Sequence, residues 1–109
     1  MNSGTGVPFK PVDGQTKKIT VGAASANVQI PFASGDQAVR IHNSGSAIAW
    51  IKAGKNNAVA AVAANDIPIP AGGVEVLTFK VDGTTGDLFI AAIAAGATGD
   101  IYFTPGEGI

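Results

Sequence analysis

The residues able to do chemistry are few and widely spaced. His42 is the only histidine, so a His-based metal site cannot be built and no Ser-His-Asp arrangement is indicated. A lone histidine of this kind reads as a surface or interface residue. Glu75 and Glu107 are the only glutamates, and a pair of carboxylates is the minimum for glycosidase chemistry. Asp13, Asp36, Asp66, Asp82, Asp87 and Asp100 all lie in or beside stretches that read as turns, where Asp hydrogen-bonds its own backbone. Asp82 and Asp87 flank Gly83-Thr84-Thr85-Gly86, a loop that invites calcium. It lacks the alternating acidic ligands and the closing Glu that such a site needs. Gly4 and Gly6 carry no neighbouring Lys and precede no helix, so they do not form a phosphate loop. Trp50, Tyr102 and His42 are the candidates for a sugar-stacking platform, although one Trp and one Tyr in a β domain more often serve a core or an interface. The chain reads as a structural or binding module, not an enzyme, with no catalytic, metal-binding or cofactor-binding residues.

Composition points the same way. The 109 residues are 46% hydrophobic and only 14% charged, against about 25% charged in an ordinary soluble domain. One domain of this length buries roughly 65% of its unfolded surface, which leaves a large exterior to be covered by Gly, Ala, Ser, Thr and Asn. A bland exterior of that kind suits a protein that neighbours cover. The six Lys and one Arg are scattered and the net charge is −1, so no basic stripe for nucleic acid is present. Cysteine is absent, which removes disulfides and thiolate metal sites and leaves packing and oligomerisation to stabilise the chain. No apolar run approaches the ~18 residues of a membrane span. Met1 to Gly6 lacks the basic and hydrophobic regions of a secretory signal, so use without export by the general secretion route is expected.

These residues must be positioned by strands. Residues 1–16, with Gly4, Gly6, Pro8, Pro11 and Gly14, read as an extended arm that carries Val7, Phe9 and Val12 as docking side chains. Residues 17–109 read as one β-sandwich domain. Lys17–Val21 is a short strand, and Asn27–Phe32 alternates with Val28, Ile30 and Phe32 inward; Pro31 makes it an edge or else faces outward. Residues 38–52 read as a hairpin: Val39 and Ile41 alternate with Arg40 and His42, Asn43-Ser44-Gly45-Ser46 turns, and Ile48, Trp50 and Ile51 return. Residues 58–64 read as a strand or an irregular connection. Pro68 and Pro70 force residues 65–73 to be extended, with Ile67 and Ile69 inward. Val74–Phe79 is a strand. Leu88–Ala95 is apolar on both faces and so central, and Asp100–Thr104 is the last strand before a short tail. Seven or eight short strands with turns every eight to twelve residues predict an all-β, antiparallel two-sheet sandwich or jelly roll.

From Val39 to Ile109 the chain resembles small tailed-bacteriophage virion proteins. The resemblance lies in Val39-Arg40-Ile41-His42-Asn43-Ser44-Gly45, in Asp66-Ile67-Pro68-Ile69-Pro70-Ala71-Gly72, and in the segment from Ile101 to Ile109, Ile-Tyr-Phe-Thr-Pro-Gly-Glu-Gly-Ile. Such proteins look like capsid decoration, or cement, proteins. The resemblance implies a module made in the host cytoplasm that sits on the outer capsid surface of the virion. It would bridge neighbouring major capsid protein subunits as a homo-oligomer, a trimer in preference to a dimer, and contact neither nucleic acid nor membrane. Val7, Phe9, Val12 and Trp50 are the expected partner-binding residues. A tail or head-fibre base component and a carbohydrate-binding adhesion module are the competing readings.

Overall fold

Alternation of buried and exposed residues builds every long element of the chain. The computed structural model describes residues 10–12, 14–30, 36–55, 58–61, 65–80, 88–94 and 98–107. These form nine strands: β1 (Lys10–Pro11), β2 (Lys17–Val21), β3 (Ala26–Gln29), β4 (Asp36–Asn43), β5 (Ala49–Gly54), β6 (Ile67–Ile69), β7 (Val74–Lys80), β8 (Phe89–Ala94) and β9 (Gly99–Glu107). Every pairing is antiparallel. The protein is an all-β two-sheet sandwich.

One sheet runs β1-β9-β4-β7, with β2 also on β9; the other runs β3-β8-β5-β6. The five-stranded sheet contributes Ile19, Val39, Ile41, Ile101 and Phe103 to the core, and the four-stranded sheet contributes Ile51, Ile69, Ile90, Ala92 and Ala94. With β1 set aside, β2-β9-β4-β7 lies against β3-β8-β5-β6, so β2/β3, β4/β5, β6/β7 and β8/β9 are each split between sheets. This is the strand order of a jelly roll. The four links that join these pairs all lie at one end of the sandwich, as the registers require: Val21 faces Gly99, His42 faces Val74, and Ala49 faces both Ala94 and Ile69.

The hairpin expected over residues 38–52 does not form. β4 and β5 belong to different sheets, and residues 44–48 cross between them. Asn43 is the physical reason. Its side chain is buried, and Nδ2 donates to Ala47 O at 2.9 Å and to Ile69 O at 3.0 Å, while Oδ1 accepts the Gly45 N–H at 3.0 Å. The amide thus replaces the main-chain bonds that a two-residue hairpin would have made. The Asn43 main chain also accepts Gly72 N–H at 2.8 Å and donates to Gly73 O at 3.0 Å, which fastens the β6–β7 link to the β4–β5 link. In that second link Gly72 has φ 71°, and Gly73 N–H donates to Pro70 O at 2.9 Å, the pattern of a type II turn.

Other expectations are refined. Part of the 1–16 arm is a strand: Lys10 and Pro11 pair with Glu107 and Gly106, and Val12 N–H donates to Pro105 O at 2.9 Å. That bond sets the phase of the ladder, so the ring nitrogen of Pro11 faces away from β9 and no ladder bond is lost. Residues 1–9 lie outside the described residues. Of the expected tail, residues 105–107 belong to β9, with Pro105 and Gly106 buried, and residues 108–109 lie outside the described residues. Pro105 is tolerated inside the sheet because its nitrogen faces Val12 and not β4, and Val12 O accepts Gln15 N–H at 3.3 Å instead. Ile69 is buried as expected, but Ile67 remains 44% exposed, because β6 is a three-residue edge strand. β3 is an edge strand, one of the two placements expected for it, and ends at Gln29; Ile30 is buried, while Pro31 and Phe32 lie outside the described residues. β8 is central between β3 and β5, as its two apolar faces required.

Candidate interaction surface

The residues singled out for chemistry are dispersed by the fold. His42 and Tyr102 are Cα partners on β4 and β9, and their rings stack with centroids 6.2 Å apart and planes at 29°. Ile41, Asn43, Ile101 and Phe103 beside them in sequence are buried, so the pair stands on the outer face of the five-stranded sheet. Trp50 stands between buried Ala49 and Ile51 and therefore points out of the four-stranded sheet. Trp50 is on the opposite side of the sandwich from His42 and Tyr102, so the three do not form a platform. Glu75 and Glu107 lie on β7 and β9, with β4 between them and four residues of offset, which places their Cα atoms about 16 Å apart. That exceeds the separation at which paired carboxylates share a glycosidic bond. The Asp82–Asp87 loop lies outside the described residues. Among the described residues no group of three or more His, Cys, Asp or Glu could hold a metal ion, and no helix is long and apolar enough to cross a membrane.

The strands of the two sheets differ sharply in charge. The strands of the five-stranded sheet carry Lys10, Lys17, Lys18, Asp36, Arg40, Glu75, Lys80, Asp100 and Glu107. Lys18 Nζ reaches Asp100 Oδ2 at 3.9 Å, and Thr20 Oγ1 donates to Asp100 Oδ1 at 2.8 Å. The strands of the four-stranded sheet carry one charge, Lys52. This asymmetry is a property of the fold: composition reveals the shortage of charge but not that nine charged residues stand on the strands of one sheet and one on those of the other.

Half of the four-stranded sheet's outer face is roofed by its own chain. Asn27 Nδ2 donates to Val59 O at 3.2 Å, and Ala61 N–H donates to Ser25 Oγ at 2.9 Å. A Cβ on Gly54 would lie 2.7 Å from Val59 Cβ, so glycine is required for Val59 to settle there. Residues 58–61 thereby cover the end of the sheet around Ala91, which is fully buried although it alternates with the core residues Ile90 and Ala92.

Among the described residues, the other half is apolar and carries no such roof. Pro68, Trp50 and Ile93 are consecutive Cα partners across β6, β5 and β8, and make one row. Pro68 is exposed, and Trp50 and Ile93 are half-buried. Ile48, two residues before Trp50, is 40% exposed. Pro68, Trp50 and Ile93 thus form an apolar row on a face whose strands carry one charged residue, with Ile48 in the link just before β5. Of the four residues expected to bind a partner, Trp50 lies in this row. Val12 is half-buried at the β1 edge of the other sheet, so it is not part of the same surface. Val7 and Phe9 lie outside the described residues. No protein-family model, curated protein or solved structure matches the chain.

Proposed function

We propose that this protein is a non-enzymatic virion structural protein of a tailed phage. In this reading it decorates the outer capsid surface and stabilises it by bridging neighbouring major capsid protein subunits. The observation that carries the reading is the uncharged, Trp50-bearing half of the four-stranded sheet, set against a charged sheet on the opposite side. A module with one apolar face and one charged face can lie on a shell and leave its charged sheet in solvent. The jelly-roll order agrees with a capsid-associated role by fold-level analogy, as does the sequence resemblance over residues 39–109. Binding to the assembled shell and not to loose subunits stabilises the shell by mass action. Several weak contacts made by one oligomer raise the apparent affinity ~10²–10⁴-fold.

Co-sedimentation with purified capsids that lack this protein tests the reading. Wild-type protein is expected to pellet with capsids, and Trp50→Ala to lose about tenfold or more in affinity, because a central aromatic anchor typically carries ≥ ~2 kcal/mol. The fold is expected to survive that change, since Trp50 lies outside the core cluster. Wild-type protein that stays in the supernatant would overturn the reading. Trp50→Ala protein that binds as wild type would move the contact to another face.

Attachment through this face is also expected to resist salt. With Lys52 as the single charge on its strands, binding measured between about 50 and 500 mM NaCl is expected to change less than about threefold, because there is little charge for ions to screen. A steep loss of binding with salt would assign attachment to the charged sheet instead.

A further inference from the structure

We infer that the free edge of β7 is a self-association surface, on which a second copy of this chain pairs its own β7 antiparallel across a two-fold axis. This inference is independent of the capsid reading. The other sheet edges are blunted: β3 has four residues, β6 has three and contains Pro68, and β1 and β2 are short and separated by residues 12–16. Shortness, interruption, proline and charge are the usual devices against edge-to-edge pairing. β7 is not short, interrupted or proline-bearing, and its only charges are Glu75 and Lys80. It is seven residues, Val-Glu-Val-Leu-Thr-Phe-Lys, without Pro, Gly or a bulge, and among the described residues it pairs with β4 alone.

The phase of the ladder shows which groups are available. Asn43 N–H donates to Gly73 O, and Ser44 N–H donates to Asp100 O at 3.0 Å. Both bonds place the odd-numbered residues of β7 in hydrogen-bonded pairs with β4. The N–H and C=O groups of Val74, Val76, Thr78 and Lys80 therefore point away from the sheet. A row of outward amide groups calls for an extended backbone as its partner. Apolar side chains flank the row: Val74 is 46% exposed, Val76 and Leu77 are half-buried, and Ile67 on the neighbouring edge strand β6 is 44% exposed.

A second copy fits this edge by its own register. With Leu77 on the two-fold axis, Val74 faces Lys80, Val76 faces Thr78 and Glu75 faces Phe79. All the outward groups on each strand are then aligned with a partner, and each outer face continues into its neighbour's. Like charges do not meet, whereas a shift that opposes Glu75 to Glu75 or Lys80 to Lys80 would bring them together. The product is one continuous sheet through both molecules and a closed dimer, because an isologous contact satisfies itself in a pair. The trimer implied by the sequence resemblance would need a different, head-to-tail contact.

Sedimentation velocity on the full chain over a wide concentration range tests this. Wild type is expected to show a reversible monomer–dimer equilibrium. Val76→Pro removes an edge N–H that β4 does not use, and is expected to weaken dimerisation ~100-fold or more with unchanged far-UV circular dichroism. Should that variant fail to fold, Leu77→Cys decides. The wild-type chain has no cysteine. The two Leu77 positions would lie about 4.5 Å apart as a non-hydrogen-bonded pair, within disulfide reach. Oxidation is expected to give a covalent dimer for Leu77→Cys and none for Lys18→Cys. A strictly monomeric or trimeric wild type, a Val76→Pro protein that dimerises normally, or loss of the dimer on deleting residues 1–9 would each overturn the proposal.

Discussion

Asn43→Ala is expected to lower stability by about 3–5 kcal/mol, the largest effect of any single substitution outside the aliphatic core. The amide is buried and bonds Ala47 O, Ile69 O and Gly45 N–H, three main-chain groups in two different links. Removing it leaves those groups in competition for a space that water does not easily reach. Each such loss costs on the order of 1 kcal/mol or more, and a cavity adds to the sum. At about 4–8 °C per kcal/mol for a domain of this size, the melting temperature should fall by about 15 °C or more. Asn43→Asp keeps the shape but removes both donors and turns a carboxylate toward two carbonyl oxygens. That arrangement favours the protonated acid, so the folded-state pKa of the introduced carboxyl would lie above its unfolded value. The variant should therefore recover stability as pH falls toward the unfolded carboxylate range and be weakest at neutral pH. Thermal melts at about pH 4 and pH 7, with wild type as the reference, measure both. A loss under about 1 kcal/mol for Asn43→Ala would show that the links hold without the amide.

The second large effect is expected at Gly99. Here the start of β9 passes over the β4–β5 link, and a Cβ on Gly99 would sit 2.6 Å from Gly45 Cα and 3.4 Å from Gly45 N. These are backbone atoms and cannot rotate away. Gly99→Ala must spread two links that other bonds hold together, including Ser44 N–H and Ser44 Oγ on Asp100 O at 3.0 and 2.8 Å. Overpacking of this kind typically costs ~1–3 kcal/mol, and the rigid neighbour places Gly99→Ala at the upper end. Gly45→Ala should be milder, because its nearest contacts are 3.2 Å to Asn43 Oδ1 and 3.3 Å to Gly99 Cα. Urea denaturation of the two variants side by side tests the order. Equal stabilities would mean that the links can separate at little cost.

The contrast between these sites and the hairpin expectation shows what was legible in the chain. Strand positions followed from alternation and from turn residues, so β2, β4, β5, β7 and β8 fall where the pattern puts them. What alternation does not encode is which sheet a strand joins. Val39 and Ile41 on β4 and Ala49 and Ile51 on β5 present one apolar face each, whether the strands pair or stack. The choice was made by Asn43, whose side chain satisfies the link locally and lets the return strand go to β8 and β6. An Asn before Ser-Gly-Ser reads equally well as a hairpin turn, and only the carbonyls at Ala47 and Ile69 distinguish the two. Pro105 misled in a similar way: it marked an end to the last strand, yet β9 continues through it because its nitrogen faces Val12, whose carbonyl is bonded by Gln15 N–H, and not β4.

The apolar row was legible only in part. The single Trp was singled out from the sequence, and Trp50 stands on the outer face of the four-stranded sheet. Its neighbours Pro68 and Ile93 are distant in sequence and become a row only through the β6-β5-β8 register. The grouping of charge onto one sheet likewise follows from which strands pair, a long-range outcome that no local pattern records. The grouping of His42, Tyr102 and Trp50 failed for the same reason, since residues on strands of different sheets can point to opposite sides of the molecule.

The most direct test of a role on the shell is a reconstruction of the phage particle at a resolution that traces strands. The predicted result is jelly-roll density on the outside of the head, with Trp50, Pro68 and Ile93 against the major capsid protein and His42 and Tyr102 toward solvent. Density for this chain in the tail, its absence from the mature particle, or a Trp50 face open to solvent would contradict it.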